Sequence, residues 1–140
     1  MTATEQLTRH NIRPSVQRVA IMQYLLDHRT HPTADDIYTD LAKAMPTLSR
    51  TTVYNTLQLL VNNQAVLGLT LDKHTMHFDG YTHPHAHFMC HKCGRIFDVE
   101  VDKHLHDHLF TSDKFKIEGV ELNYVGLCPD CRRQDNNNDN

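Results

Sequence analysis

The stretch Thr33 to Asn62, T-A-D-D-I-Y-T-D-L-A-K-A-M-P-T-L-S-R-T-T-V-Y-N-T-L-Q-L-L-V-N, decides the fold of the N-terminal half. Thr33 is an N-cap residue with Asp35 and Asp36 in the first helical turn, where acidic groups complement the helix dipole. Ile37, Leu41, Ala42 and Met45 recur at helical spacing and predict its inner stripe. Met45-Pro46 stops that helix. Ser49 caps the next one, whose buried face is Val53, Leu57 and Leu60. Two helices joined by a short turn predict a helix-turn-helix, with the second helix as the reader of a duplex. Its early exposed face carries Arg50, Thr51, Thr52, Tyr54 and Asn55. Hydroxyls, an amide and a guanidinium suit phosphates and base edges of double-stranded DNA. A helical pair that packs for stability alone has the same pattern, so both readings stand at this stage.

Working outward, residues 65–71 and 74–79 are apolar-rich and flank Asp72-Lys73, which predicts a hairpin placed as a wing after the second helix. Upstream, residues 2–10 predict a short helix capped by Thr4, broken by Arg13-Pro14-Ser15. From Val16 a second helix buries Val19, Ile21, Met22, Leu25 and Leu26. Residues 1–80 thus form one domain. Gly80 to Pro84 reads as a hinge, and residues 85–133 as a second domain with strands near 86–90, 95–101 and 117–126 and a helix at 103–111. His104, His106 and His108 fall on that helix as a solvated face. Residues 134–140, within an Asn/Asp-rich run from Arg132, read as a disordered tail.

The second domain opens with D-G-Y-T-H-P-H-A-H-F-M-C-H-K-C-G-R-I-F-D, Asp79 to Asp98, which holds ligands of two kinds. Cys90-x-x-Cys93 pairs with Cys128-x-x-Cys131 as two knuckles able to close a tetrahedral Zn²⁺ site. A redox pair or free core thiols are the competing readings. A closed four-thiolate site has no open coordination position, so its role is structural. His85 and His87 alternate and share one face of a strand. With Asp79 and Asp98, and His31 if it joins, they offer nitrogen and carboxylate oxygen donors that suit iron, manganese or zinc. His31 also reads as a loop histidine before Pro32, and Asp98 as a surface group.

Composition narrows the class. The chain has 140 residues, 39% hydrophobic and 22% charged, with net charge −3. Residues 1–70 are close to neutral, with Arg9, Arg13, Arg18, Arg29, Lys43 and Arg50 against Glu5, Asp27, Asp35, Asp36 and Asp40, while the remainder is acidic. No apolar run reaches the ~18 residues of a spanning helix, and the N-terminus has no apolar signal segment, which predicts a cytoplasmic protein without a membrane partner. Four cysteines in that compartment read as metal ligands before disulfides. A metallo-hydrolase is disfavoured, because no motif places a further carboxylate as general base. The expectation is a binding protein, not an enzyme.

His31-Pro32-Thr33-Ala34-Asp35-Asp36-Ile37-Tyr38, Thr51-Thr52-Val53-Tyr54-Asn55-Thr56-Leu57, His85-Ala86-His87 before Cys90-x-x-Cys93-Gly94, and Gly126-x-Cys128-x-x-Cys131 together resemble the ferric-uptake-regulator superfamily over nearly the whole chain. The resemblance implies an α+β fold, with an N-terminal winged helix-turn-helix domain and a C-terminal small α/β dimerisation domain. It implies a homodimer bound to operator DNA, a structural zinc on the four cysteines, and a regulatory Fe²⁺ or Mn²⁺ site. His31, Asp79, His85, His87 and Asp98 resemble the regulatory set of the peroxide-sensing (PerR-like) branch; iron-uptake regulators usually carry Glu in place of Asp79 and Asp98. In that branch peroxide oxidises a ligand histidine, by position His31 or His85. The function implied is a metal-dependent repressor sensing hydrogen peroxide, with a regulator of metal uptake responding to iron or manganese levels as the alternative. The family's common Gly before the wing is absent; Asn62-Asn63-Gln64 stands there.

Overall fold

The structure is a computed structural model that describes residues 1–70, 75–82, 86–102, 104–105, 113–116 and 120–138. The chain divides into two compact units, 1–82 and 83–140.

The first unit holds α1 (Ala3–Arg9), α2 (Val16–Asp27), α3 (Ala34–Ala42), α4 (Arg50–Asn62), β1 (Leu67–Leu69) and β2 (His77–Asp79). Each helix is started by a hydroxyl side chain. Thr33 and Asp36 form a reciprocal capping box on α3, and Ser49 accepts from Thr52 N–H on α4. On α1 the cap is Thr2, not Thr4: Thr2 and Glu5 make a full capping box, so the helix begins before the expected residue. The core joins Leu7, Ile21, Met22, Leu25, Ile37, Val53, Leu57, Leu60 and Phe78, all buried. The expected inner stripe of α3 is graded: Ile37 is fully buried, while Leu41 and Met45 pack partly buried against the core.

Two helix ends use left-handed residues other than glycine. After α4, Gln64 sits at φ 62°, with Ala65 N–H bonded to Leu60 O and Gln64 N–H to Val61 O. This is a Schellman end, and Gln64 takes the backbone conformation that glycine adopts without strain. Asn11, at φ 61°, closes α1 in the same way. The chain then turns into the wing, where β1 and β2 pair antiparallel with Leu67 opposite Asp79. The strands are shorter than the expected 65–71 and 74–79, and Asp72-Lys73 lies outside the described residues.

In the second unit β3 (Ala86–Cys90), β4 (Ile96–Val99) and β5 (Asn123–Gly126) form a sheet ordered β4-β3-β5. β3 runs antiparallel to β4 and parallel to β5. The expected helix at 103–111 falls mostly outside the described residues, as does the start of the strand expected at 117–126. A final helix, α5, spans Pro129–Asn138. Residues 134–138, expected as part of a disordered tail, continue this helix, and 139–140 lie outside the described residues. Proline suits the first helical position, Asp130 favours the positive helix end, and Lys92 ties the helix back through Asp135 at 2.8 Å. No helix among the described residues is long and apolar enough to cross a membrane.

Candidate functional site

The four cysteines come together in the second unit. Their Sγ atoms all lie within 4.8 Å of one another, and Cys93 and Cys128 are 3.9 Å apart. A tetrahedron with arms of ~2.3 Å has edges of ~3.8 Å, whereas a disulfide needs ~2.05 Å. The spacing therefore fits a tetrahedral zinc ion and excludes a bonded pair, and donor chemistry and geometry agree.

Each knuckle has its own local cause. In the first, Gly94 at φ 77° reverses the chain, Gly94 N–H bonds Cys90 O at 2.8 Å, and Cys90 N–H bonds Arg95 O at 3.0 Å. In the second, Cys128 caps α5: its Sγ accepts Cys131 N–H at 3.5 Å, and Arg132 N–H bonds Cys128 O at 2.8 Å. The parallel register sets Cys90 opposite Gly126, which brings the knuckles to the same end of the sheet.

As neighbouring thiols the sulfurs divide. The backbone N–H groups of Cys93 and Cys128 pull Cys90 down to about 5, and the Cys131 N–H lowers Cys128. Burial, with hydrogen bonding to the other cysteines, pushes Cys131 up to about 12. Four adjacent sulfurs cannot all ionise cheaply by themselves, and a divalent cation removes that conflict because ligation requires the deprotonated form.

The histidine–carboxylate residues are arranged as two pairs, one in each unit. In the first unit His31 Nε2 is 3.5 Å from Asp79 Oδ2, and both residues are buried. His31 has a left-handed backbone at φ 57°, a conformation few residues other than glycine adopt and one that clusters at functional sites. The wing strand holds it there. His77 Nδ1 lies 2.7 Å from His31 O, Phe78 N–H bonds Pro32 O at 2.9 Å, and Thr33 bridges to His77. A carbonyl can only accept, so His77 carries its proton on Nδ1. Asp79 ends the same strand, and its Oδ1 accepts Tyr81 N–H at 2.9 Å while Oδ2 is turned to His31.

In the second unit His87 and Asp98 face each other across the β3–β4 ladder, with His87 Nε2 3.5 Å from Asp98 Oδ1. Both pairs exceed the usual ~2.7–3.2 Å of an N–H···O bond. The separation resembles that of two donors on one cation with arms of ~2.1 Å. His85 lies outside the described residues.

On the expected DNA face, Tyr54 is half exposed, and Thr51 and Asn55 are exposed. Two members are engaged otherwise. Arg50 pairs with Asp35 at 2.6 Å and stacks over Tyr38, and the Thr52 hydroxyl bonds Ser49 at 2.9 Å. A cavity of about 460 Å³ beside α4 is lined by Arg13, Ser15, Gln17 and Arg18 as well as Thr52 and Asn55. Arg13 and Ser15, just before α2, and Gln17 and Arg18, in its first turn, were not among the sequence candidates. The signal was present in Arg13 and Arg18 flanking the Ser15 cap, where basic groups add to the positive helix end.

A winged helix followed by a sheet clipped by four cysteines defines a metal-binding winged-helix protein. The sequence profile of the Ferric uptake regulator family matches residues 9–125, and the chain belongs to that family. It is 36% identical over 140 residues to the peroxide operon regulator of Bacillus subtilis, covering 96% of this chain and 94% of the relative. It is 34% identical over 139 residues to the peroxide-responsive repressor PerR of Staphylococcus epidermidis, covering 93% and 88%. Among solved structures, the ferric uptake regulator from Pseudomonas aeruginosa with manganese has a TM-score of 0.75 at 20% identity, covering 92% of this chain and 99% of that one. That last likeness is one of fold.

Proposed function

We propose that the protein is a metal-dependent transcriptional repressor that senses hydrogen peroxide. The observation that carries the reading is the doubled histidine–carboxylate pair, His31 with Asp79 and His87 with Asp98, each with nitrogen and oxygen 3.5 Å apart. The relatives named for peroxide response lend it support, as does the presence of Asp in place of Glu at 79 and 98.

In this reading His31, Asp79, His85, His87 and Asp98 hold one Fe²⁺ or Mn²⁺ ion, and Cys90, Cys93, Cys128 and Cys131 hold structural Zn²⁺. Hard carboxylates retain Fe²⁺ without offering a thiolate that peroxide would consume first. Fe²⁺ held there would supply one electron to split hydrogen peroxide into hydroxide and a hydroxyl radical; His31 or His85 would take up that oxygen at its ring and give up a proton and an electron, so that the net products are the oxygenated histidine and water. The wing strand fixes His31 in its left-handed conformation and so holds the imidazole at its carboxylate partner. Ligation then biases which arrangement of the chain accepts the operator, by differential affinity.

Double-stranded operator DNA is the partner of α4, through Thr51, Tyr54 and Asn55, with Arg50 and Thr52 at its start and the Arg13–Arg18 cavity taking phosphates. A homodimer is the second part of the proposal. β5 carries exposed Tyr124 and Val125 and has no neighbour on its outer edge among the described residues. An apolar, open strand edge favours pairing with a second copy.

The test is anaerobic exposure of the Fe²⁺-loaded protein to hydrogen peroxide, followed by peptide mass analysis and operator titration. An added oxygen on a His31 or His85 peptide, with loss of operator binding, is the expected result. Reversible metal loss with unmodified histidines would replace this reading with the metal-level regulator.

A further inference from the structure

Arg95 has no part in the metal ligation or the duplex face, yet it joins the two halves of the cysteine cluster. The reversal at Gly94 returns Arg95 beside the first knuckle. Its Nε lies 3.4 Å from Cys93 Sγ, and one terminal nitrogen lies 3.5 Å from Cys128 Sγ and 3.1 Å from an Asp130 carboxylate oxygen. Cys93 belongs to the first knuckle; Cys128 and Asp130 belong to the second. The Phe97 ring backs the guanidinium, with its centre 5.3 Å from the central carbon, and Arg133 holds Asp130 from α5.

We propose that Arg95 is the positioning residue of the four-cysteine centre, bridging the knuckles and donating to two of the four sulfurs so that bound metal is released slowly. The proposal rests on the reading of these cysteines as a zinc site. Four thiolates outweigh one dication, so the loaded centre carries net negative charge. Hydrogen bonds from a cation draw density from the sulfurs and make them less basic, which opposes dissociation by protonation. Arginine suits the place because its planar fork reaches two sulfurs and a carboxylate at once and keeps its charge. A lysine supplies the charge without the fork. The guanidinium also spans a long connection, since Cys93 and Cys128 are 35 positions apart, and it helps hold the knuckles in register during metal exchange.

The test uses the full chain loaded with Co²⁺ in place of zinc. The sulfur-to-cobalt charge-transfer band reports electron density on the sulfurs, which a merely structural contact would not move. In Arg95→Met the band is expected to shift to lower energy while the d–d bands stay tetrahedral. Zinc transfer from the same variant to an excess of chromogenic chelator is expected to quicken by about 10-fold, with Arg95→Lys in between. An unmoved band with release within about twofold of the parent overturns the proposal, given that losing an outer partner ordinarily costs more. If Arg95→Met does not fold, Asp130→Asn decides the matter: it unties the guanidinium while keeping it, and must shift band and rate in the same direction by less. No change there overturns the proposal equally. Failure of the zinc reading looks different, because the parent chain would then show no thiolate–cobalt band at all.

Discussion

Replacing Gly80 by alanine tests how the first unit holds Asp79. A Cβ on Gly80 would sit 2.9 Å from Leu25 O, 3.1 Å from Leu25 C and 3.3 Å from Leu25 Cβ. The first two are backbone atoms of α2, so no side-chain rotation relieves the clash, and either the helix or the Asp79–Tyr81 segment must move. Overpacking of this kind costs about 1–3 kcal/mol. For a unit of this size each kcal/mol lowers the midpoint by roughly 4–8 °C, so melting of the first unit should fall by about 5–20 °C. Gly68→Ala is the control. There the nearest atom is the flexible Met76 Sδ at 3.2 Å, followed by Val61 Cγ2 at 3.4 Å. The methionine sulfur can yield and the valine methyl is at ordinary contact distance, so the cost should stay below about 1 kcal/mol. Calorimetry on the full chain reads both variants. Because Asp79 precedes Gly80, Gly80→Ala should also weaken regulatory-ion binding about 10-fold or more while zinc content is unchanged. Melting of Gly80→Ala within about 2 °C of the parent, or a larger loss from Gly68→Ala, would refute the reasoning.

Cys93→Ser should lose stoichiometric zinc and the cooperative melting of the second unit; element analysis beside calorimetry checks it, and native melting without zinc would contradict the structural role. Asp98→Ala should lower Mn²⁺ affinity in a calorimetric titration about 10-fold while leaving the thiolate-bound zinc in place; joint loss of both metals would count against two independent sites. Tyr54→Ala and Arg18→Ala should each weaken operator binding in a gel-shift assay with metal content unchanged. The arginine change should also reduce the salt dependence by about one phosphate contact, and an unaltered slope would remove Arg18 from the interface. Gln64→Gly should stabilise the first unit by about 0.5–1 kcal/mol in urea titration, since it relieves a left-handed residue; a loss of stability would show that Gln64 has a further role.

Features written in local chemistry were legible in the sequence. Thr33 and Ser49 announce their helices because a cap needs only a hydroxyl and the backbone ahead of it. The cysteine pairs announce their site because ligand spacing is a short-range property. The Thr2-x-x-Glu5 box is an equally local start signal for α1, and it lies ahead of Thr4. The α5 helix was hidden by composition. Asn and Asp are weak helix formers, and what holds the segment is its cysteine cap together with Lys92. The turn of His31 into a left-handed conformation depends above all on His77 and Phe78 of the wing strand, and His77 lies 46 positions further along the chain, so no short window of sequence reveals it. Arg50 looked like a reader of bases, and only the fold brings Asp35 and Tyr38 to it.

The parallel pairing of β3 with β5 has a consequence for assembly. Parallel neighbours cannot be joined by a tight hairpin, so the strands that carry the knuckles meet only after the intervening segment has closed on itself. Closing a loop of that length costs the unfolded chain about 4 kcal/mol of entropy, which a tetrahedral clip prevents from being recovered. On the proposed reading of the four cysteines as a zinc site, a chain that folds without that metal would lack the clip across this long connection, whatever the state of the histidine–carboxylate residues.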